Sequence, residues 1–354
     1  MNLTAPADMP LTIGIINFNG ASVIENTLAS VFASRYGGQL DVVVVDDCST
    51  DNSPKIVQEK FPSVRLFVQP ANMGPNAARN RILAEALHPV VFVSDNDIEL
   101  APDCLSLLAR TLMSDPDAAV ATPMVLDFEK RDQIYSNGAG LHYVCFGIIA
   151  LRHQRIPAGL PMTPFRSVCG SGGIMMVKKD RAAALGGFDE DFVFGYDDGE
   201  FTYRVSASGG VVTQVPAARI YHLEKPGRNP KRLRYQIKGR WTLILKSYSA
   251  RSLLLLSPAL LVFEAAQVAF LLAKGQGMEW ICGVWMVMKS AGKTWEKRKA
   301  VMAVKTRPDN QLLAPGEIFI FPSRVGGGII LKLKSAMELG LNTYWRLVSR
   351  FLTR

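Results

Sequence analysis

The sequence predicts an α/β protein whose mostly parallel sheet is covered by helices on both faces. Apolar runs rich in Val and Ile alternate with helix-like segments through the first 113 residues. Strands that are apolar on both faces need cover on both sides, as in the parallel sheets of α/β proteins. Polar residues follow the strands at their carboxyl ends, where ligands bind in open sheets of this kind. With 354 residues, 48% hydrophobic and 20% charged, the chain can fill a core and more than one domain.

Each element is predicted in chain order from its pattern. Runs rich in β-branched residues between turn residues indicate strands, and longer stretches of helical period indicate helices. The predicted strands cover residues 11–17, 41–47, 64–69 and 90–94, and helices are predicted at 22–32, 53–60, 75–87 and 102–113. A further apolar run follows at 118–123. The stretch GYDDGEFTYRVSASGG predicts a helix that begins near Asp197 and ends at Gly209.

Several common sites have no motif in this sequence. No G-x-G-x-x-G follows the first strand, which argues against a dehydrogenase-type dinucleotide site, and no G-x-x-x-x-G-K-[ST] phosphate loop occurs. The five cysteines form no C-x-x-C pair, which predicts free thiols in a reducing compartment and argues against structural zinc. The first ten residues lack a basic end followed by an apolar run, so we expect no secretory signal.

The stretch VVFVSDNDIEL ends an apolar strand in three acidic residues. Asp95 and Asp97 are two residues apart, and such residues of an extended chain point the same way. Adjacent carboxylates repel each other unless a cation joins them, and oxygen ligands with open positions suit Mg²⁺ or Mn²⁺. The alternative is a solvated turn in which Asp95 caps the next helix. Glu99 lies past this pair, and we expect it to help start that helix.

Other polar and glycine-rich stretches allow two interpretations each. In DDCSTDNS, Asp47 either caps the next helix or accepts a hydrogen bond from a ligand N–H. In CGSGG, Gly172 and Gly173 either let the backbone approach a donor sugar or kink a strand. The acids that begin the helix near Asp197 either serve chemistry or simply complement the helix dipole, which would lower their pKa.

Six motifs occur in one order along the chain: TIGIINFNG, VVVVDDCSTDNS, NMGPNAARN, DND, GGFDEDFVFGYDDGEFTYRVSASGG and IYHLEKPG. With these motifs, residues 11–227 resemble the family 2 glycosyltransferases. The resemblance implies a GT-A fold, which is a Rossmann-like, mostly parallel sheet, and hexosyl transfer with inversion of the anomeric centre. The whole chain is similar to bacterial enzymes that add rhamnose or related sugars to surface polysaccharides, which makes dTDP-rhamnose the leading donor.

The resemblance implies a role for each matching residue. Asp198 matches the second acid of the family's acid pair, the catalytic base, and Asp197 matches the first. Glu200 matches a position that supports the helix. The D-x-D motif and a histidine are implied to hold Mg²⁺ or Mn²⁺ on the diphosphate, and they correspond here to Asp95, Asp97 and His222. The remaining donor-site residues are Asn17 and Phe18 beside the nucleoside, Asp47 on the pyrimidine base, Arg79 near the nucleotide, and Asn96, Gly172 and Gly173.

Inverting transfer is one displacement with an oxocarbenium-like transition state. A carboxylate takes the proton of the acceptor hydroxyl, and a divalent cation stabilises the leaving diphosphate. Two other functions compete: sugar-phosphate nucleotidyl transfer, and non-catalytic sugar or lipid binding on a transferase fold. Nucleotidyl transfer would leave Asp197 and Asp198 without a role, and the intact set of acids argues against a decayed enzyme.

We predict a catalytic domain at residues 1–224 and a basic, hydrophobic, mainly helical membrane-associating region at 225–354. The catalytic domain has a nucleotide-sugar half at 1–100 and an acceptor half at 101–224. Residues 225–251 contain nine Lys or Arg and no acid, which equals the net charge of +9 for the whole chain. This concentration of charge predicts an anionic membrane surface as the partner of residues 225–300, and no nucleic acid.

The apolar segment 252–273 is long enough to span a bilayer, but it contains Pro258, Glu264 and Gln267. A second apolar run at 280–288 is too short to span. We expect a shallow helical hairpin or interfacial insertion, with a buried helix pair as the alternative. The basic amphipathic C-terminal helix either lies on the membrane, fills the core or contacts a second copy in a homo-oligomer. These features, with a lipid-linked or glycan acceptor, predict the cytoplasmic face of a bacterial inner membrane.

Overall fold

The computed structural model describes residues 9–149, 151–170, 172–223, 232–318 and 327–353. The chain divides into two compact units, which are described separately. The first comprises Met1–Gly138, Ala150–Val205 and Gly210–Arg228, and the second Ala139–Ile149, Ser206–Gly209 and Asn229–Arg354. The predicted domain boundary at 224/225 lies outside the described residues, as do Lys225, Arg228 and Lys231 of the basic run.

The secondary-structure elements are numbered in chain order. The strands are β1 (Leu11–Asn17), β2 (Leu40–Asp46), β3 (Arg65–Val68), β4 (Val90–Asp95), β5 (Ile98–Leu100), β6 (Ala118–Asp127), β7 (Ile134–Ser136), β8 (Gly140–His142), β9 (Gly147–Ile148), β10 (Phe165–Ser167), β11 (Met175–Lys178), β12 (Val211–His222) and β13 (Leu313–Ala314). The helices are α1 (Ile24–Phe32), α2 (Ser53–Lys60), α3 (Pro75–Glu85), α4 (Cys104–Ser114), α5 (Lys179–Ala184), α6 (Asp197–Ala207), α7 (Arg232–Ser247), α8 (Ala250–Ala273), α9 (Gly277–Lys289), α10 (Ala291–Val304), α11 (Asp309–Leu312) and α12 (Gly327–Val348).

The first unit is built on one sheet with the order β10-β12-β6-β11-β4-β1-β2-β3. Strands β3, β2, β1 and β4 run parallel to one another, and β6 is parallel to β12. Strand β11 is antiparallel to both β4 and β6 and joins these two parallel groups. The predicted fold class is therefore confirmed: a mostly parallel sheet whose first four strands alternate with helices.

Helices cover both faces of this sheet because its strands are apolar on both faces. In β2, Val42 and Val44 belong to one buried cluster, which includes residues of α1 and α4. Val43 and Val45 belong to a second cluster, which includes residues of α3 and α6. Alternate residues of a strand point to opposite faces, so one continuous apolar run supplies two cores.

Glu99 corrects one expectation from the sequence. It lies in β5, which pairs with β12, rather than in the first turn of α4, which begins at Cys104. Both oxygens of its carboxylate accept hydrogen bonds of 2.8 Å from the guanidinium of Arg131. The prediction that Glu99 helps to start the next helix is wrong, since a partner far along the chain fixes this side chain.

The second unit combines helices α7 to α12 with a small sheet of order β13-β8-β9. Helix α8 continues through Pro258 over 24 residues, and it begins where the Ser249 hydroxyl accepts a hydrogen bond from Ser252 N. A short connection at residues 274–276 leads into α9, so two consecutive helices are present, as both sequence interpretations require. Among the described residues, α8 is the one helix that is both long enough and apolar enough to cross a membrane. Of its most apolar 18-residue stretch, 28% is buried.

Candidate active site

The carboxyl ends of three neighbouring strands bring the first site residues together. Asn17 at the end of β1 pairs in register with Asp46 of β2, and Ile16 pairs with Asp95 of β4. Because these strands are parallel, their polar ends lie at the same edge of the sheet. The sequence places charged and amide side chains at all three ends, and the fold makes one site of them.

Asn17 orders the floor of this site. Its side chain is fully buried, and Nδ2 donates to Asp46 Oδ1 at 2.6 Å and to Ser53 Oγ at 2.8 Å. Its Oδ1 accepts a 2.6 Å hydrogen bond from Asn96 Nδ2, which ties the end of β1 to the D-x-D turn. Phe18, the next residue, is 47% exposed. The predicted nucleoside contacts remain predictions.

Asp47 holds a loop. Its Oδ1 accepts hydrogen bonds from Gln69 Nε2 and Met73 N, both at 2.8 Å, and its Oδ2 accepts one from Gly74 N at 2.9 Å. The N-cap residue of α2 is Asn52, so the alternative that Asp47 caps this helix is wrong. The buried carboxylate fixes the chain between β3 and α3 at the ligand-binding edge, and its predicted contact with a base remains a prediction.

Arg79 connects two acidic motifs that are about 100 residues apart in the sequence. The guanidinium is 1% exposed, and its Nη1 donates to Asp197 Oδ2 at 2.6 Å and to Asn76 Oδ1 at 2.8 Å. Its Nη2 lies 3.6 Å from Asp95 Oδ1. Burial opposes the charge of Arg79, but Asp197 and Asp95 outweigh burial and raise the pKa. A buried cation of this kind requires such anionic partners.

Asp198 lies beside this ion pair at the start of α6. Its Oδ2 accepts a 2.9 Å hydrogen bond from Gly173 N, and its Oδ1 accepts one of 2.7 Å from Gly199 N. Burial raises the pKa of Asp198, and the charge of Asp197 raises it further against the opposing effects of Arg79 and the two N–H groups. The net direction is the opposite of the lowering expected from the helix dipole, and a raised pKa makes the carboxylate a stronger proton acceptor.

The other two acids nearby have different surroundings. Burial and the charges of Asp97, Asp197 and Asp198 raise the pKa of Asp95 to about 7, although Arg79 opposes them. The Asp95 side chain nevertheless keeps 40% exposure, so a ligand can reach it. Glu200 is fully buried and forms an ion pair with Arg204 one turn along α6, which leaves it the supporting role that was predicted.

Gly172 and Gly173 adopt positive φ values of +89° and +70°, which strain any residue with a Cβ atom. A Cβ atom on Gly173 would lie 2.7 Å from Arg79 Nη2 and 3.2 Å from Asp95 Oδ2. Gly173 therefore permits close backbone approach, and the groups approached are the site's own arginine and aspartate. Ser171 of the same motif lies outside the described residues.

Replacing Gly173 with Ala should displace Arg79 or Asp95 and lower both the melting temperature and the rate of catalysis. Gly186→Ala is a matched control, because Gly186 has a φ of +75° but a Cβ atom added there would meet no atom within 4 Å. Both variants carry a backbone cost of about 1–2 kcal/mol, so only the excess loss in Gly173→Ala reports the clash. Equal losses in differential scanning calorimetry would show that close approach at Gly173 is unimportant.

Asp97 meets His222 because β5 pairs with the end of β12. Ile98 is opposite His222 in this ladder, and Leu223 N donates to Asp97 O at 2.9 Å. His222 Nε2 lies 3.5 Å from Asp97 Oδ1. Asp97 Oδ1 and His222 Nδ1 are buried and lack hydrogen-bond partners among the described residues. An unpartnered carboxylate oxygen next to an imidazole suits a divalent cation.

The described part of the chain contains no cluster of three His, Cys, Asp or Glu side chains that would hold a metal by itself. A cation at Asp97 and His222 would thus need oxygen atoms from a substrate, as Mg²⁺ commonly does with phosphates. Sequence reasoning missed Tyr135, whose ring lies 4.9 Å from that of His222. A single tyrosine in the three-residue strand β7 gives no sequence signal, since only the fold brings it to β12.

Profiles of two known protein families match overlapping parts of the chain. A sequence profile described as "Glycosyl transferase family 2" matches residues 12–179, and one described as "N-terminal domain of galactosyltransferase" matches residues 160–226. The first match contains the ends of β1, β2 and β4, Arg79 and the two glycines. The second contains the acids of α6 and His222 on β12.

Two curated relatives are similar to somewhat less than two thirds of this chain. One is an N-acetylglucosaminyl-diphospho-decaprenol L-rhamnosyltransferase of Mycobacterium tuberculosis (strain CDC 1551 / Oshkosh), which is 24% identical over an alignment of 247 residues that covers 62% of this chain and 78% of the relative. The other is the succinoglycan biosynthesis protein ExoO of Rhizobium meliloti (strain 1021), 29% identical over 231 residues, which are 64% of each chain.

The solved structure of GalNAc-T7 with UDP, GalNAc and Mn²⁺ superposes with a TM-score of 0.55 at 17% sequence identity. The superposition covers 68% of this chain and 48% of that structure, so this chain spans about half of the neighbour's length. At this identity the likeness establishes the fold, which is GT-A-like.

Proposed function

This chain carries a glycosyltransferase family 2 domain, and we propose that it transfers a sugar, with inversion, from a nucleotide diphosphate to a hydroxyl of a lipid-linked or polysaccharide acceptor. The observation that carries the proposal is the position of Arg79. Its guanidinium joins Asp95 of the D-x-D motif to Asp197, with Asp198 as the next residue. The groups for the leaving diphosphate and for the attacking hydroxyl thus belong to one connected site.

Asp198 is the proposed base. The Asp197 carboxylate is bound to a buried guanidinium at 2.6 Å, so its charge already has a partner. The Asp198 carboxylate instead accepts hydrogen bonds from two neutral backbone N–H groups, and its pKa is raised. It would take the proton of the acceptor hydroxyl as that oxygen attacks the anomeric carbon and the bond to the diphosphate breaks.

Asp97, His222 and Asp95 are the proposed holders of Mg²⁺ or Mn²⁺, together with the diphosphate of the donor. When bound, the cation would supply Lewis-acid stabilisation of the leaving diphosphate. The unpartnered Asp97 Oδ1 and the exposed Asp95 carboxylate support this assignment. The Mn²⁺ in the GalNAc-T7 structure supports it by analogy of fold.

The donor and location are proposed from the relatives and the composition. The rhamnosyltransferase that this chain resembles is named for a polyprenyl diphosphate-linked acceptor, which supports dTDP-rhamnose and a lipid-linked acceptor here. Residues 1–100 would bind the nucleotide sugar and 101–224 the acceptor. An acceptor of this kind, with the basic residues of 225–300, supports a position on the cytoplasmic face of a bacterial inner membrane.

A panel of nucleotide sugars tests the proposal. With Mn²⁺ present, we expect one nucleotide sugar, with dTDP-rhamnose first in order, to raise the melting temperature and to release its nucleoside diphosphate when acceptor is added. Release of pyrophosphate from a nucleoside triphosphate and a sugar phosphate would instead establish nucleotidyl transfer. Binding of sugars without any turnover would establish a binding protein.

Removal of divalent cations should stop the transfer. EDTA is expected to abolish nucleoside diphosphate release, and Mn²⁺ or Mg²⁺ to restore it. Asp97→Asn should raise the Mn²⁺ concentration for half-maximal activity by at least about tenfold. Asp103→Asn is the control, because this carboxylate is 62% exposed and pairs loosely with Arg35. Full activity in EDTA, or the same Mn²⁺ requirement in both variants, would contradict the metal assignment.

A further inference from the structure

The solvent-exposed face of helix α8 is almost wholly apolar. Its large exposed side chains are Leu254, Leu261, Val262 and Leu272, each at least 60% exposed. Surface helices of soluble proteins usually present charged and polar residues on the outer side. An apolar stripe of this length is typical of a surface that meets something other than water.

Helix α9 also exposes an apolar stripe. Met278, Ile281, Trp285 and Met288 are 55–66% exposed and lie three or four residues apart, so they form one stripe along the helix. We call these four residues, together with Leu254, Leu261, Val262 and Leu272, the hairpin face.

Both acids of the hairpin bind arginines of α7. Glu264 accepts hydrogen bonds from Arg240 Nη1 and from Trp280 Nε1, and Arg240 is almost completely buried. Glu279 forms a two-armed ion pair with Arg234 at 2.7 and 2.6 Å. Glu264, the acid that makes this apolar segment unfavourable in a membrane, is thus paired with a cation inside the protein. The hairpin face itself carries no negative charge.

Cations flank the hairpin face. Arg251 and Lys274 are exposed at the two ends of α8, and Lys289 is exposed at the end of α9. A second copy of the chain packed along α8 would bring like charges together in either orientation, which is unfavourable. Anionic lipid headgroups complement these cations, while the apolar residues and Trp285 suit the boundary between headgroups and acyl chains.

We propose that the hairpin face inserts into the interface of an anionic lipid bilayer. The residues of the hairpin face would then be the ones that contact the membrane. The link from this surface to a lipid-linked acceptor rests on the proposed function. The exposed apolar side chains of α8 and α9 would insert, and Arg251, Lys274 and Lys289 would lie at the level of the headgroups. The ion pairs to Arg240 and Arg234 stay within the protein.

Vesicle binding by the full chain, without nucleotide sugar, tests the proposal. We expect tighter binding to phosphatidylcholine vesicles that contain phosphatidylglycerol than to phosphatidylcholine alone. Leu261→Glu and Ile281→Glu should each weaken binding by about tenfold or more, since each removes an apolar side chain from lipid and adds a charge. Quenching of tryptophan fluorescence by brominated lipids should fall in Trp285→Phe.

Three controls make the outcome specific. Leu87→Glu alters a side chain of the first unit that is 68% exposed, close to the 66% of Leu261, and should bind vesicles like the wild type. Thermal melting checks that each variant is folded, and two positions are tested because one variant can fail this check. Asp198→Asn should bind vesicles normally, so failure of transfer and failure of insertion are distinguishable.

Unchanged vesicle binding by folded Leu261→Glu and Ile281→Glu would overturn the proposal. So would a wild-type chain that ignores anionic vesicles. A dimer detected by light scattering without lipid, and converted to monomer by Leu261→Glu, would show that a second copy covers the hairpin face instead.

Discussion

Asp198→Asn should lower the turnover number of sugar transfer by about 10²–10⁴-fold, the usual contribution of a general base. The amide keeps an oxygen that can accept from Gly173 N, but it cannot take a proton from the acceptor hydroxyl. Nucleotide affinity should change little, because the contact with Gly173 is kept and Asp198 itself has no assigned contact with the donor. Stopped assays of nucleoside diphosphate release, combined with calorimetric titration of the nucleotide, separate the two quantities.

Asp197→Asn is the informative companion variant. It leaves the carboxylate of Asp198 in place but removes the charge that binds Arg79 at 2.6 Å. We expect a larger loss of thermal stability and a smaller loss of turnover than in Asp198→Asn. The reverse pattern would assign the base to Asp197 and leave Asp198 a structural role.

Arg79→Met should lower the free energy of unfolding by about 3–5 kcal/mol, as is usual when one partner of a buried ion pair is removed. The apolar side chain has a similar length, but Asp95, Asp197 and Asp198 would then repel one another without a cation between them. Arg81→Met is the control on the same helix. Arg81 is 51% exposed and pairs with Glu85 across one turn, so its loss should cost no more than about 0.5 kcal/mol.

The loss of unfolding free energy caused by Arg79→Met should also depend on pH. Without the guanidinium, the folded-state pKa values of Asp95 and Asp198 rise further, so these two carboxyls stay protonated to higher pH in the folded chain than in the unfolded one. Such groups favour folding at low pH and lose that contribution as pH rises through their folded pKa. Urea unfolding at pH 5 and pH 8 should therefore show the smaller deficit at pH 5. An equal loss of unfolding free energy at pH 5 and pH 8 would contradict the role of Arg79 as a bridge between Asp95 and Asp197. So would a loss no larger than that of Arg81→Met.

Strands β1, β2 and β4 were predictable because each is a continuous apolar run that ends in polar residues. The same patterns predicted that their carboxyl ends form a site. Local sequence was less informative where a distant partner decides the role of a side chain. Asp47 resembles a helix cap in its own segment, but the loop after β3 supplies its donors. Glu99 looks like a helix start, but Arg131 binds it.

The bridging role of Arg79 shows the same limit within the active site. Its motif indicated a basic residue near the nucleotide, and nothing in NMGPNAARN reveals that Asp197 is its partner. That contact exists because α3 and α6 contribute to one core on the same side of the sheet. Likewise, the sequence shows Glu264 as a costly acid in an apolar helix, and only the packing of α8 and α7 supplies Arg240. Pairwise contacts of this kind depend on tertiary structure, which periodicity and composition do not determine.

The most direct test of the central claim is transfer by the full chain between a nucleotide sugar and a polyprenyl diphosphate-linked sugar acceptor. We predict equal amounts of nucleoside diphosphate and glycosylated lipid from the wild type in Mn²⁺, measured by chromatography and mass spectrometry, and little of either from Asp198→Asn. A folded wild-type chain that binds a nucleotide sugar but forms no glycosylated product, or that is matched in product by Asp198→Asn, would contradict the account.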